Sequence, residues 1–165
     1  KRKNAWGTGL IFNHAIDSIQ NVTVAAGFTR EISENANNTA YYRNAYGLGL
    51  AYNFVHTTYG LDLERQVTKN QGDKRTKNEV RAIVRQGLNE DWNVYAMYAY
   101  KTDKQFGDTD RTRQFMVGTE YYVYNQGSLK VKPFLEWQAT RTKYENSTVD
   151  RSRDFKTVIG LRAYW

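Results

Sequence analysis

Nucleophilic and general-base chemistry have few places to start in this chain. It holds two histidines, His14 and His56, and no cysteine. A thiolate nucleophile, a thiolate metal site and a disulfide are therefore out of reach. A hydrolase needs a base beside its nucleophile and a third group to orient that base, and neither histidine stands at a spacing that assembles such a set. There is no paired-histidine metal motif. Asp108 and Asp110 are spaced like the opening of a calcium loop but lack its other ligands, so they read as solvated loop charges. Gly7-x-Gly9 and Gly47-x-Gly49 lie inside strand-like segments with no helix behind them, which removes the phosphate-loop reading. Alternating glycine of this kind suits a wall that another segment approaches closely, or a widened passage. No catalytic residue, metal ligand or cofactor is expected.

The remaining chemistry is charge. Lys and Arg number 24 against 17 Asp and Glu, a net charge of +7. Such a balance favours an anionic partner: an acidic sugar, a lipopolysaccharide or a nucleic acid. Which of these applies depends on the face each base occupies, and so on the elements that carry the bases.

Those elements are strands. Along 41–54, Tyr46, Leu48, Leu50, Tyr52 and Phe54 alternate with Ala45, Gly47, Gly49, Ala51 and Asn53, a strict period of two. The same alternation recurs over 5–14, 21–31, 57–67, 79–88, 92–102, 114–124, 129–144 and 154–165, which makes nine strands in all. Tight turns are expected at 17–20, 53–56, 89–92 and 124–128, and longer polar loops at 33–39, 68–77, 103–110 and 145–153. One proline and scattered glycine leave the strands uninterrupted.

A mean hydropathy of −0.78 would ordinarily indicate a soluble or loosely folded chain, yet 13 Tyr, 7 Phe and 4 Trp argue against disorder. The two facts agree if half of every strand faces water and the other half faces hydrocarbon. No stretch approaches the ~20 apolar residues of a membrane-spanning helix. A soluble antiparallel sandwich or lipocalin-like barrel would also alternate. Here, however, one face is lipid-like with Tyr and Trp near its ends, while the other mixes Gly and Ala with Arg, Lys, Asp and Glu. The fold class expected is an all-β, antiparallel transmembrane β-barrel of the bacterial outer membrane, one domain over residues 1–165. Short turns fall on the periplasmic side and long loops outside. Because single-chain bacterial barrels have an even strand count, nine strands mean either that one strand is wrongly divided or that an odd number of N-terminal strands is missing. Lys1-Arg2-Lys3 reads as the end of an extracellular loop, which favours the second and a complete barrel of 10–12.

Projected by parity, the lumen face collects Arg43, Arg81, Arg85, Lys101, Lys130, Lys132, Lys156 and Arg162, with Asp62, Glu64, Glu79, Glu120 and Glu136 opposing them. A basic track facing acids on another wall would create a transverse field and a lane for carboxylated or sulfated solutes. Arginine suits that lane, because its fork grips a carboxylate at two points and keeps its proton. Tyr95, Tyr122, Phe134 and Tyr164 share the lumen face and could stack on sugar rings. The plainer alternative is that internal Arg and Glu pair with each other and plug a small barrel. Arg111, Arg113, Lys143, Arg151 and Arg153 gather at the loop-side ends, where lipopolysaccharide phosphates lie, and are expected to anchor the membrane surface.

Three phrases resemble the oligogalacturonate-specific porin family. They are Trp92-Asn93-Val94-Tyr95-Ala96-Met97-Tyr98-Ala99-Tyr100 after the Asn89-Glu90-Asp91 turn, Val131-Lys132-Pro133-Phe134-Leu135-Glu136-Trp137, and the closing Gly160-Leu161-Arg162-Ala163-Tyr164-Trp165. The resemblance implies a monomeric outer-membrane channel of twelve strands for acidic oligosaccharides, with arginine tracks in its pore. On this chain those tracks fall to Arg81, Arg85 and Arg162 with the neighbouring lysines. Two departures stand out: three strands fewer, and lysine at several lumen positions. The function expected is passive diffusion of anionic solutes along a basic pore lining, with lipid and lipopolysaccharide as surroundings, no nucleic-acid partner and no catalysis. A closed structural or adhesion barrel is the first alternative, and a barrel lipid hydrolase the second.

Overall fold

Nine long strands and one short one follow each other in a single antiparallel meander. The computed structural model describes residues 3–34, 40–127, 129–146, 148 and 151–165. The strands are β1 (Lys3–Ala15), β2 (Gln20–Glu34), β3 (Ala40–Phe54), β4 (Thr57–Asn70), β5 (Asp73–Gly87), β6 (Trp92–Gln105), β7 (Asp108–Tyr121), β8 (Tyr124–Gln126), β9 (Leu129–Lys143) and β10 (Arg151–Tyr164). Sheet order is chain order, except that β8 pairs with β9 and lies off the main path. Among the described residues there is no helix.

The sheet is not closed into a barrel. β1 and β10 are its two edges and do not pair with each other. Within the long ladders every residue opposes one partner without a bulge, from Lys3 opposite Ser33 to Tyr164 opposite Lys130. Alternation in the sequence therefore becomes two chemically distinct faces with no slip between strands.

Turn chemistry sets the register. At one end of the sheet, Asp17 Oδ1 accepts from the Ile19 amide at 2.9 Å, and Asn89 Oδ1 accepts from the amides of Asp91 and Trp92 at 2.9 and 2.8 Å. Such side chains imitate a backbone turn and close it early. At the other end, the loops expected at 68–77 and 103–110 are in fact two-residue hairpins. Gln71 and Gly72 have φ of 49° and 92°, and Phe106 and Gly107 have 51° and 89°. Two consecutive positive φ values define the turn whose twist matches that of paired strands. The polar residues around them simply extend β4 to β7 into 14 or 15 residues each.

One turn is strained. Val55 links β3 to β4 with φ of 53°, where a β-branched side chain crowds its own backbone. The left-handed region costs an ordinary residue about 1–2 kcal/mol, and asparagine tolerates it better. Val55→Asn is expected to raise the urea midpoint of unfolding by an amount equivalent to about 1 kcal/mol. An unchanged or lower midpoint would mean the turn relaxes without strain.

Candidate functional site

Register assigns the faces without ambiguity. One face carries rows such as Phe12, Val24, Leu50 and Leu61 across β1 to β4, and Ala96, Val117, Trp137 and Thr157 across β6, β7, β9 and β10. Its large apolar side chains remain exposed, among them Leu10, Leu48, Leu135, Ile159 and Trp165. Trp6 packs edge-on to Phe28, and Trp137 stacks on Phe155. The opposite face carries the charges. It is also the concave one, since side chains rooted two strands apart meet across it.

Glu120 is the centre of that face, with 1% of its surface exposed. Its Oε1 accepts from Arg85 Nη1 at 2.7 Å and Lys132 Nζ at 3.3 Å, and its Oε2 accepts from Arg162 Nη1 at 3.0 Å. Arg162 reaches on through Nη2 to Glu136 Oε1 at 3.0 Å, and the Tyr95 hydroxyl donates to that same oxygen at 2.7 Å. Three bases and two acids from β5, β7, β9 and β10 thus form one connected network, closed by a tyrosine from β6. Aromatic rings support the cations. Lys132 Nζ lies 4.6 Å from the Tyr122 ring and 5.3 Å from Tyr164, and Arg162 lies 4.1 Å from the Phe134 ring.

Two glycines make room for this network. The Tyr95 ring lies directly over Gly118, and that of Phe134 over Gly160, so that an added Cβ would collide with each ring. Through the first gap Tyr95 crosses β7 to reach Glu136 on β9. An aromatic ring laid over a strand glycine shields its bare backbone. Neither glycine was singled out in the sequence. The signal was there: an interior strand glycine facing an aromatic on the neighbouring strand.

All eight bases projected onto the lumen face occupy the inner face. Arg43 pairs with Glu31, which also takes Lys3 at 3.2 Å. Arg81 and Lys101 pair with Glu79 at 2.6 and 3.8 Å. Arg85, Lys132 and Arg162 belong to the Glu120 network. Among the described residues Lys130 and Lys156 have no ion pair. The expected separation of bases from acids holds only in part. Glu79, Glu120 and Glu136 are interleaved with the bases on β5, β7 and β9, whereas Asp62 and Glu64 on β4 are exposed and have no ion pair among the described residues. Beside those two acids a hollow of 580 Å³ opens over Gly9, Gly27, Gly47 and Gly49.

Within the network burial separates the two arginines from their acids, while Lys132 is buried with the acids. The Arg85 and Arg162 side chains are 42% and 35% exposed, while the carboxylate they share is enclosed. Water therefore meets guanidinium groups backed by buried acids. Of the four aromatics expected to stack on sugars, Tyr95 is buried, Phe134 is covered by Arg162 and the half-buried Tyr122 carries Lys132 on its ring, which leaves Tyr164 as the exposed one.

The remaining candidates lie apart. His14 stacks beside Phe12 on the outer face of β1, and His56 sits exposed in the turn after β3. Asp108 accepts from Asn146 Nδ2 at 3.1 Å and Asp110 from the Glu145 amide at 3.3 Å, so both tie the segment after β9 to the start of β7. Beyond the apolar band, Arg75 grips Asp103 through Nε at 2.8 Å and Nη2 at 2.5 Å. That bidentate bond holds the Asp103 carboxyl below its usual range, with burial acting in the opposite direction. Comparison with protein-family models, curated proteins and solved structures finds no match to the chain.

Three outcomes follow from this geometry. Glu120→Gln leaves three cations crowded around a neutral amide and is expected to destabilise the fold by about 3–5 kcal/mol in urea unfolding; a loss under about 1 kcal/mol would mean that the bases simply rotate away. Gly118→Val should displace the Tyr95 ring and break its bond to Glu136, detectable as a changed tyrosine environment in near-ultraviolet circular dichroism, with Gly118→Ala milder than Gly118→Val. Because the folded-state pKa of Asp103 is depressed, its stabilising contribution is full above the ordinary aspartate pKa and is lost as pH falls through the lowered value. A carboxyl titration followed by NMR should place Asp103 below a free aspartate and return it upward in Arg75→Gln.

Proposed function

We propose that this sheet is part of the wall of an outer-membrane β-barrel through whose aqueous bore anionic solutes, acidic oligosaccharides among them, diffuse along exposed guanidinium and ammonium groups. The observation that carries the reading is the layering of the inner face, in which Glu120, Glu136 and Glu31 are buried while Arg85, Arg162 and Arg43 keep a third or more of their side chains in solvent. Buried carboxylates fix the arginines in place and leave part of each fork free to bind a passing carboxylate or sulfate. Lys130 and Lys156, which have no ion pair among the described residues, add exposed positive charge.

The opposite face supports a lipid environment. Its exposed Leu, Ile, Val, Phe and Trp would be a liability in water over so wide an area, and are the surface a membrane barrel turns to hydrocarbon. Strands of 14 or 15 residues exceed the 9–11 that cross a bilayer, so their loop-side ends project beyond it. In that setting the open edges of β1 and β10 need further strands, because unpaired backbone groups in lipid are costly. The likeness of three strand phrases to oligogalacturonate-specific porins points to acidic sugars as the solutes and to a monomeric barrel. No chemical step is asked of the protein.

A second reading has an observation of its own. Six of the eight bases projected onto the lumen face are ion-paired, as in a closed barrel that serves a structural or adhesion role. Planar-bilayer recording separates the two. The channel gives steady unitary openings with anion preference, and Lys130→Glu combined with Lys156→Glu, which breaks no ion pair, lowers or reverses that preference. Folded protein that stays silent in the bilayer supports the plugged barrel instead.

A further inference from the structure

Cross-strand register places six cations in a block on the outer face, at the loop-side ends of β7, β9 and β10. Arg113, Arg141 and Arg153 oppose one another in one row, and Arg111, Lys143 and Arg151 in the next. All six are exposed, and none has an ion pair among the described residues. On the β6 side these rows meet Tyr100 and Thr102, which bring no negative charge. Like charges placed directly opposite each other destabilise a sheet, so the block costs the fold something and forms no ion pair among the described residues to offset it.

Directly below the arginine row lie Tyr98, Phe115, Ala139 and Phe155, again in register. Together with Arg113, Arg141 and Arg153 they line a groove of 290 Å³. Strands 4.7–4.9 Å apart hold the three arginine backbones within about 10 Å of each other. That width suits two phosphate groups, each held by guanidinium forks.

We propose that this block is a binding site for a phosphorylated lipid of the outer leaflet, with phosphate groups on Arg113, Arg141 and Arg153 and an acyl chain along Phe115 and Phe155. The site rests on the membrane reading given above, and is independent of what passes through the bore. Phosphate is the recognised chemistry, and the apolar groove beneath it selects the lipid-borne form over the free ion. Arg111, Lys143 and Arg151 extend the cationic field outward toward the sugar or phosphate groups of such a lipid.

The test uses the folded protein in neutral detergent micelles, titrated with a bis-phosphorylated acylated glucosamine disaccharide (lipid A) and read by native mass spectrometry. One retained lipid is expected, with the affinity reduced at least ~10-fold in the triple variant Arg113→Gln, Arg141→Gln, Arg153→Gln. Because that variant relieves cross-strand repulsion, its urea midpoint should equal or exceed that of the parent, and the single Arg141→Gln should fall between the two in affinity. A dephosphorylated lipid of the same acyl composition should not be retained, and inorganic phosphate at millimolar concentration should not displace the lipid. Equal retention by parent and triple variant, or equal retention of the dephosphorylated lipid, overturns the site; displacement by inorganic phosphate alone assigns it to the free ion and also overturns the lipid proposal. Quenching of tryptophan fluorescence by bromolipids in vesicles distinguishes the two levels of failure. A quenched protein that retains no lipid loses only this site, whereas an unquenched one loses the membrane reading as well.

Discussion

Residue-for-residue pairing across nine long strands is the constraint on which the remaining structure depends. Each ladder runs without a bulge, so a side chain's face is fixed by whether its number is odd or even within its strand. Slipping one strand by a single residue would carry Leu61 and Leu63 to the charged side and Asp62 and Glu64 to the apolar side. Neither face could absorb that exchange, and the cost of the wrong register helps specify the right one. The tight turns do the rest. Asp17 and Asn89 close one end with side-chain hydrogen bonds, and the paired positive φ values at Gln71-Gly72 and Phe106-Gly107 close the other.

This constraint explains what was legible in the amino-acid sequence. Parity alone placed Arg43, Arg81, Arg85, Lys101, Lys130, Lys132, Lys156 and Arg162 on one face, because a period of two needs only the strand itself to be identified. Pairing between those bases and the acids was not legible. Glu120 meets Arg85 and Arg162 across intervening strands, and such contacts depend on curvature and on gaps that no single strand records. Gly118 and Gly160 are such gaps. The hairpins at 71–72 and 106–107 were hidden for a different reason. Their flanks, such as Thr68, Lys69, Lys74 and Arg75, are polar on both faces, as residues beyond an apolar band can be, and composition there resembles a loop even though the backbone remains paired.

The Glu120 network also shows why counting charges gives a poor account of this surface. Taken as a sum, its three bases and two acids nearly cancel. Their positions do not. Both acids are buried, Glu136 also accepting from the Tyr95 hydroxyl, and the two arginines keep a third or more of their side chains in solvent. A buried carboxylate with several donors is a costly element to desolvate, so its presence suggests that the fold holds those arginines in fixed positions. An arginine left free in water would sweep many rotamers and present its fork in no particular direction. Anchored at one nitrogen, as Arg85 is, or at two, as Arg162 is, it presents the remaining donors at a set angle. The outer block of Arg113, Arg141 and Arg153 differs, since none of the three has an ion pair among the described residues.

Strand direction limits how such a sheet can close. β1 and β10 are separated by an even number of antiparallel steps along the main path, so they run in the same direction. Direct pairing of the two edges would make a single parallel seam in an otherwise antiparallel wall, and the two do not pair. An antiparallel closure needs an odd number of additional strands between them, whether from the same polypeptide or from another copy. A single added strand would give a ten-stranded main wall, whose interior the arginine networks would nearly fill; three would give twelve and leave the hollow over Gly9, Gly27, Gly47 and Gly49 open to water. On the barrel proposed above, the stripe of small residues on β1 to β3 fits the wider wall better than the narrower one. Side chains there contribute almost nothing to filling a narrow bore, whereas a barrel built to be plugged needs bulk on that face.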